Sequence, residues 1–269
     1  MSMPIPHTVN DVTPAPTQAT DPSIVLSLSD ITFSYSNNTN ILRDISLDFP
    51  SGSWSAIMGP SGSGKSTLLY CASGLLSPQH GHVICGTTDI TTLKGNDLTT
   101  FRREHFGFVF QNYNLLPELT ATQNVLLPSM FGSHALPEQD ARRALADVGL
   151  DQYADAYPED LSGGQRQRVA IARGLALHPD ILFADEPTGA LDSKTTREVM
   201  DLFRMASDRK QTVIMVTHDP NVAACADQVI FLVDGSVVGI HRGMTAADIA
   251  LAFSTGNFAS TPSTTEDAQ

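Results

Sequence analysis

Alternating apolar and polar residues open the patterned part of the chain. Residues 24–35 carry apolar side chains mainly at every second position, and residues 45–49 repeat this spacing, so each segment predicts a strand. The second segment runs into Pro50, Ser51 and Gly52, residues that are typical of a turn. We expect the two segments to pair as an antiparallel hairpin.

Short runs that are apolar throughout predict a second kind of strand. Residues 54–58, 181–184 and 212–216 each lead into a polar or glycine-rich loop and then into a segment with helical spacing. Runs of this kind are typical of parallel strands buried on both faces. These three segments therefore predict the centre of a mainly parallel sheet.

Two further patterns complete the expected architecture. Residues 115–157 show apolar side chains at helical spacing, for example Ala141, Ala144, Leu145 and Val148, without a convincing strand. Residues 229–240 predict a closing hairpin around an Asp-Gly turn. The expected fold is α/β, with a mainly parallel sheet, an antiparallel β subdomain and a helical subdomain at about residues 112–165.

Composition narrows the class of protein. Of the 269 residues, 41% are hydrophobic and 17% are charged, as in an ordinary globular protein. No stretch approaches the roughly 18 apolar residues of a membrane-spanning helix. The net charge of −13 disfavours binding to nucleic acid phosphates or to anionic lipids. The three cysteines are far apart, so we expect buried hydrophobic side chains rather than disulfides or metal ligands.

Proline, threonine and serine are frequent at both ends of the chain. Such segments offer little apolar surface to bury, so residues 1–23 and 255–269 are predicted to be disordered tails. The domain is expected to span residues 24–254.

A glycine-rich loop is the first candidate for chemistry. Residues 59–66 read Gly-Pro-Ser-Gly-Ser-Gly-Lys-Ser, between a predicted strand and a predicted helix. In this context backbone N–H groups and the helix N-terminus surround phosphate oxygens, while the lysine reaches the terminal phosphates and the final serine binds Mg²⁺. The alternative is a Gly-Ser loop with a chance lysine. The predicted contacts are Gly59, Ser61, Gly62, Ser63, Gly64, Lys65, Ser66 and Thr67.

Two carboxylates follow the apolar strand at residues 181–184. Asp185 is predicted to hold Mg²⁺ through water, and Glu186 is predicted to act as the general base for an attacking water molecule. The alternative interpretation is a pair of acids that cap the next helix, which the following Pro187 would also suit.

Residues 161–165, Leu-Ser-Gly-Gly-Gln, give the chain a clear resemblance to the ATP-binding-cassette (ABC) ATPases. Ser162 is predicted to cap a helix whose first amides face an anion. An ordinary capped helix is the alternative, but the adjoining Gly163 and Gly164 favour close backbone approach. In the family, the anion is the γ-phosphate held by the second subunit, and Gln165 belongs to the same signature.

This resemblance covers about residues 24–242 and implies further site residues. Gln111 matches a glutamine that contacts Mg²⁺ and the attacking water, and His218 matches a histidine at the γ-phosphate. Asp192 matches a loop that crosses the dimer interface, and Tyr35 matches an aromatic residue that stacks on adenine. Taken singly, each of these residues could equally be structural. The resemblance implies the core of a P-loop NTPase, and the implied cofactors are ATP and Mg²⁺.

The family resemblance also implies partners. The chain would form a head-to-tail homodimer, or a close heterodimer, around two ATP molecules and would drive a separate membrane permease. It would lie at the cytoplasmic face of the membrane through that permease, with no lipid anchor and no nucleic acid partner.

Residues 108–117 narrow the resemblance to the branch that serves macrolide efflux, lipoprotein release, antimicrobial-peptide resistance and bacterial cell division, so an exporter is expected. A signalling ATPase that controls a cell-wall enzyme without transport is the alternative.

Two other groups of residues are expected to be structural. His80 and His82 flank a glycine, and we interpret them as a surface turn rather than a metal site. Arg166, Arg168 and Arg173 are interpreted as surface and interface charges of the signature helix.

Overall fold

The computed structural model describes residues 23–35, 40–131, 135–189 and 191–258. In these residues the strands form two sheets, one of four strands and one of six. The strands are β1 (Ile24–Phe33), β2 (Leu42–Pro50), β3 (Trp54–Met58), β4 (His80–Cys85), β5 (Thr88–Asp89), β6 (Phe106–Val109), β7 (Ile181–Asp185), β8 (Thr212–Val216), β9 (Gln228–Val233) and β10 (Ser236–Arg242).

The larger sheet has the order β10-β9-β3-β8-β7-β6. Strands β9, β3, β8, β7 and β6 are parallel, and β10 pairs antiparallel with β9 at one edge. Every residue of β3, β7 and β8 is buried, because helices cover both faces of the sheet. The predicted parallel strands and the closing hairpin are confirmed. Since parallel strands end at the same edge, the loops after β3 and β7 meet there.

The smaller sheet is antiparallel, with the order β2-β1-β4-β5. Its first two strands are the predicted hairpin. The interpretation of His80 and His82 as a turn is wrong, because both lie in β4 and pair with Thr32 and Ser29 of β1. The open side of β1 offers backbone partners to this segment, and a lone pair of histidines in the sequence does not reveal that.

Helices pack on both sheets and form a third layer of their own. They are α1 (Lys65–Ala72), α2 (Gly95–His105), α3 (Ala121–Leu126), α4 (Glu138–Asp147), α5 (Gly163–Leu175), α6 (Ser193–Asp208), α7 (Pro220–Ala223) and α8 (Ala246–Thr255), with short 3-10 helices at Leu127–Phe131, Asp151–Tyr153 and Pro158–Asp160. As expected, the part of the chain described between 115 and 157 is helical.

Helix α5 belongs to two cores. One core, shared with α3 and α4, contains Val169 and Ala172 of α5 and also Ala176, which follows the last residue of the helix. The other core, shared with β7 and α6, contains Ile171. The helical subdomain predicted at 112–165 therefore does not end cleanly at the signature. Its core continues along the length of α5.

The C-terminal part of the domain extends further than predicted. Helix α8 runs to Thr255, and the Phe258 ring packs 5.1 Å from that of Phe231, centroid to centroid. The carbonyl of Phe258 also lies 2.7 Å from Nε2 of His241. The tail predicted from residue 255 therefore begins too early, because a single aromatic side chain holds the segment on the core. The rest of that tail, and residues 1–22, lie outside the described residues.

Candidate nucleotide site

The loop between β3 and α1 has the geometry of an anion cradle. Gly62 and Gly64 have φ angles of 79° and 99°, which are left-handed values that a glycine adopts without strain. Helix α1 begins directly afterwards at Lys65. The loop therefore points backbone N–H groups, together with the positive end of α1, into a common space.

Lys65 folds back over this loop. Its Nζ donates hydrogen bonds to the carbonyls of Gly59 and Pro60, both at 2.9 Å. Burial lowers the pKa of Lys65, and the charges of Glu186 and Asp185 oppose that shift. A phosphate oxygen would be a stronger acceptor for the ammonium group than either carbonyl.

Ser63 carries an unsatisfied hydroxyl inside the loop. The residue is 3% exposed, and its Oγ has no hydrogen-bond partner among the described residues. A buried polar atom without a partner is destabilising by about 1–3 kcal/mol. Its position favours a ligand that supplies an oxygen to this loop.

Asp185, the last residue of β7, accepts two hydrogen bonds from α1. Ser66 Oγ donates to its Oδ1 at 2.9 Å, and the hydroxyl of Tyr70 donates to its Oδ2 at 2.7 Å. Hydroxyl and carboxylate oxygens are ligands that Mg²⁺ prefers, so this pair fits the predicted metal. Burial, reinforced by Asp185, raises the pKa of Tyr70, which keeps the phenol protonated.

The sequence analysis missed Tyr70. It lies four residues after Ser66, one helical turn along α1, so the spacing alone could have placed both side chains on one face of the helix.

Glu186 turns away from the strand that ends at Asp185. Its φ angle is 47°, a strained left-handed value for a residue with a side chain. Its Oε2 lies 2.8 Å from Nδ1 of His218, which follows the end of β8. The alternative of two acids that cap the next helix does not hold, because Asp192 caps α6.

Gln111 and Tyr35 border the same region. A Cβ placed on Gly189 would lie 3.5 Å from Nε2 of Gln111, so this glutamine adjoins the loop after Glu186. Tyr35 is 62% exposed, and its hydroxyl lies 3.3 Å from Oγ1 of Thr67. The Tyr35 ring packs edge-to-face against Phe33, 4.9 Å between centroids, and most of the side chain is exposed beside the loop.

The signature segment forms a reciprocal cap on α5. Ser162 Oγ accepts from the backbone N–H of Gln165, and Oε1 of Gln165 accepts from the N–H of Ser162 at 2.8 Å. Gly164 packs so closely on α6 that a Cβ there would lie 2.6 Å from Cγ2 of Thr195. The signature therefore meets the start of α6 in its own chain.

Asp192 caps α6 beside the signature. Its carboxylate accepts from the N–H groups of Lys194 and Thr195, and the Thr195 hydroxyl donates to it at 2.7 Å. The hydrogen bonds from Thr195 lower the pKa of Asp192. None of the hydrogen bonds that the structure describes for residues 162–165 reaches residues 59–67. The predicted residues thus form two groups within one chain.

Two of the three arginines interpreted as surface and interface charges, Arg168 and Arg173, also hold internal contacts. Arg173 donates to the carbonyls of Tyr113 and Asn114 at 2.6 and 2.5 Å, and burial lowers its pKa. Arg168 pairs with Glu198 of α6. These partners are at least 30 residues away from the arginines in the sequence, so the contacts are seen only in the folded chain.

Comparison with known proteins agrees with this geometry. Residues 42–189 match the ABC transporter family. The chain is 44% identical over 219 residues to the macrolide export ATP-binding/permease protein MacB of Salmonella typhimurium, which covers 80% of this chain and 34% of that protein. It is 45% identical over 224 residues to the uncharacterized ABC transporter ATP-binding protein YvrO of Bacillus subtilis, covering 81% of this chain and 98% of that protein. The chain thus spans about a third of the length of the macrolide-export relatives.

The fold comparison points the same way. A solved dimeric structure of the ATP-binding cassette MJ0796, in a post-hydrolysis state with ADP and Pi, superposes with a TM-score of 0.75 at 39% identity and covers 81% of this chain and 99% of that one. Because the family model matches more than half of the chain and a relative is 45% identical over nearly its whole length, this chain belongs to the ABC transporter family and carries its ATPase domain.

Proposed function

We propose that this chain binds ATP with Mg²⁺, hydrolyses it in a head-to-tail dimer and thereby powers a membrane permease that acts as an exporter. The observation that carries the proposal is the convergence of four groups at one sheet edge: the phosphate loop, Lys65, the Ser66–Asp185 pair and the Glu186–His218 pair. This set supplies phosphate binding, metal ligands and a base in one place.

ATP binding would use the phosphate loop, in which Ser63 Oγ lacks a partner among the described residues and Lys65 Nζ donates only to carbonyls. The triphosphate would accept from the loop N–H groups, from Ser63 Oγ and from Lys65 Nζ, which would exchange its carbonyl partners for phosphate oxygens. The adenine would stack on the exposed ring of Tyr35. Ser66 and Asp185 would hold Mg²⁺, which supplies charge neutralisation at the phosphates.

Hydrolysis would depend on the Glu186 carboxylate. Glu186 is the proposed general base for the attacking water, and Gln111 would help to orient that water. His218, hydrogen-bonded to Glu186 in this structure, would turn its imidazole towards the γ-phosphate. The left-handed backbone at Glu186 supports this role, since strained backbone of this kind is frequent at catalytic residues.

A second copy of the chain would complete each site. Residues 162–165 cap α5 and leave the first N–H groups of that helix directed outward, where they would bind the γ-phosphate held by the partner. Asp192, beside the signature, would lie at the interface. The dimeric state of the similar solved cassette supports this arrangement.

The permease would dock on the side of the molecule that bears β6 and the helical layer. A cavity of about 420 Å³ lies there, and much of its lining is apolar. They include Phe106, Phe108, Phe110, Leu127 and Pro128. Nearby in the chain, Leu116 is 43% exposed. Among the described residues, the structure contains no helix with the length and apolar character of a membrane span. The MacB relatives, named for export and for a permease, favour an exporter.

Replacement of the proposed base tests the function. Glu186→Gln should keep ATP binding, because Lys65 and Asp185 are unchanged, and should slow ATP hydrolysis by about 10²–10⁴-fold. Glu138→Gln, on the exposed side of α4, is the matched control and should hydrolyse ATP at the wild-type rate. Phosphate release by the chain assembled with its permease gives the rate, and equilibrium titration gives the binding. Wild-type turnover in Glu186→Gln would remove Glu186 from the role of base.

A further inference from the structure

Helix α1 holds the Asp185 carboxylate at both of its oxygens. Ser66 and Tyr70, one turn apart, donate to Oδ1 and Oδ2 at 2.9 and 2.7 Å. Asp185 is 7% exposed, so little water is available to replace either donor. The carboxylate group therefore has one defined rotation about its Cβ–Cγ bond.

This rotation decides what Ser66 offers to a metal. Because Oδ1 accepts the Ser66 hydroxyl hydrogen, the lone pairs of Ser66 Oγ are directed away from Asp185 and are available for coordination. Without the Tyr70 hydroxyl as a donor to Oδ2, the carboxylate could rotate or accept a hydrogen bond from another group. The Ser66 hydroxyl would then lose its fixed orientation. Groups that orient metal ligands in this way commonly change metal affinity by about 10–100-fold when removed.

We propose that Tyr70 is a positioning residue for the Mg²⁺ site: its hydroxyl locks Asp185 so that Ser66 presents its lone pairs to the metal. The inference rests on the proposed function, since it assumes that Mg²⁺ with a nucleotide binds here. Tyr70 does not touch the metal and acts through Asp185. A purely structural role, in which Tyr70 only fastens α1 to β7, would affect folding but not the metal dependence.

The test compares Tyr70→Phe, which removes only the hydroxyl, with Tyr157→Phe, which removes the same group from a half-exposed residue before the signature. Binding of a fluorescent ATP analogue to the full chain is measured as a function of Mg²⁺ concentration and again in EDTA. We expect Tyr70→Phe to raise the half-saturating Mg²⁺ concentration about 10-fold, with unchanged binding in EDTA. Tyr157→Phe should match the wild type in both measurements.

A double-mutant cycle with Asp185→Asn tests whether Tyr70 acts through Asp185. In that background Tyr70→Phe should change the Mg²⁺ dependence no further, because the two side chains belong to one network. Full additivity of the two changes would overturn the proposal. An unchanged Mg²⁺ requirement in Tyr70→Phe would also overturn it, even if the melting temperature of that variant falls. The proposal would likewise fail if Tyr70→Phe weakened binding in EDTA as much as it weakened binding with Mg²⁺. If the wild-type chain bound the analogue neither with Mg²⁺ nor without it, the proposed function would fail together with this inference.

Discussion

The backbone of the site is constrained at Glu186 and at Gly59. At Glu186 the chain leaves β7 with a left-handed φ of 47°, a strained value for a residue with a side chain. At Gly59 the constraint is space, because a Cβ there would lie 1.9 Å from the carbonyl oxygen of Leu232 in β9. The start of the phosphate loop is thus packed directly on a neighbouring strand.

Substitution of Gly59 should therefore be costly. Gly59→Ala forces the loop or β9 to move, and we expect the free energy of unfolding to fall by about 3 kcal/mol, at the upper end of ordinary overpacking. Gly243→Ala is the control, since its Cβ would meet open space and only its left-handed φ of 67° opposes the change, at about 1 kcal/mol. Urea unfolding measures both values. Equal stability of the two variants would contradict the close approach at Gly59.

Helix α5 is the element that connects the signature to the segment after β6. Arg173, near its C-terminal end, holds the carbonyls of Tyr113 and Asn114. Those two residues have left-handed φ angles of 60° and 49°, a conformation that is unfavourable by about 1–2 kcal/mol for Tyr113 and less so for an asparagine. The guanidinium thus stabilises a strained segment that directly follows Gln111.

Loss of this tether should loosen the segment. In Arg173→Met, residues 111–116 should exchange their amide hydrogens about 10-fold faster, because two hydrogen bonds from a charged donor are gone. Arg143→Met removes an arginine that is 68% exposed on α4 and should leave this exchange unchanged. Mass-spectrometric hydrogen exchange on the nucleotide-free chain measures the effect. The same exchange rate in wild type and Arg173→Met would show that other contacts hold the segment.

At the scale of the whole molecule, the phosphate loop and the signature form separate groups within one chain. The loop has an unsatisfied hydroxyl at Ser63, and the signature lies at the N-terminus of α5, where the N–H groups of the first turn are donors. A head-to-tail pair of chains would bring the two groups together around the same phosphate. The proposed dimer therefore accounts for both sets of donors at once.

Mixing two inactive chains tests that arrangement. Lys65→Ala and Ser162→Arg in opposite chains place both defects in one composite site and leave the other site intact. We expect ATP hydrolysis to return on mixing in the presence of the permease, with each variant alone as the inactive control. If each chain built its own complete site, no site in the mixture would work.

A cross-link provides an independent readout of the same prediction. Cysteines at Ser61 of one chain and Gly163 of the other should cross-link only when ATP is bound. Cys71 and Cys85 are buried, so Cys225 is the natural cysteine to replace by serine beforehand. If mixing restores no activity and ATP induces no cross-link, the shared site is excluded.

The sequence by itself determined the features that local physics controls. The buried strands β3, β7 and β8 are apolar at nearly every position, so their runs predict a parallel sheet without knowledge of their neighbours. The phosphate loop and the cap at Ser162 depend on glycines, helix starts and residues three positions apart, all of which lie within a few residues. Their positions and their chemistry could therefore be predicted together.

Only the tertiary structure decided the contacts between distant segments. Tyr70 and Asp185 lie 115 residues apart, and Arg173 reaches Tyr113 across 60. A hydrogen bond of this kind leaves no periodicity in the chain, so neither Tyr70 nor the tether at Arg173 was predicted. The same reason explains His82 in β4 and Phe258 on the core, since strand pairing and the packing of a single ring depend on surfaces that exist only after folding.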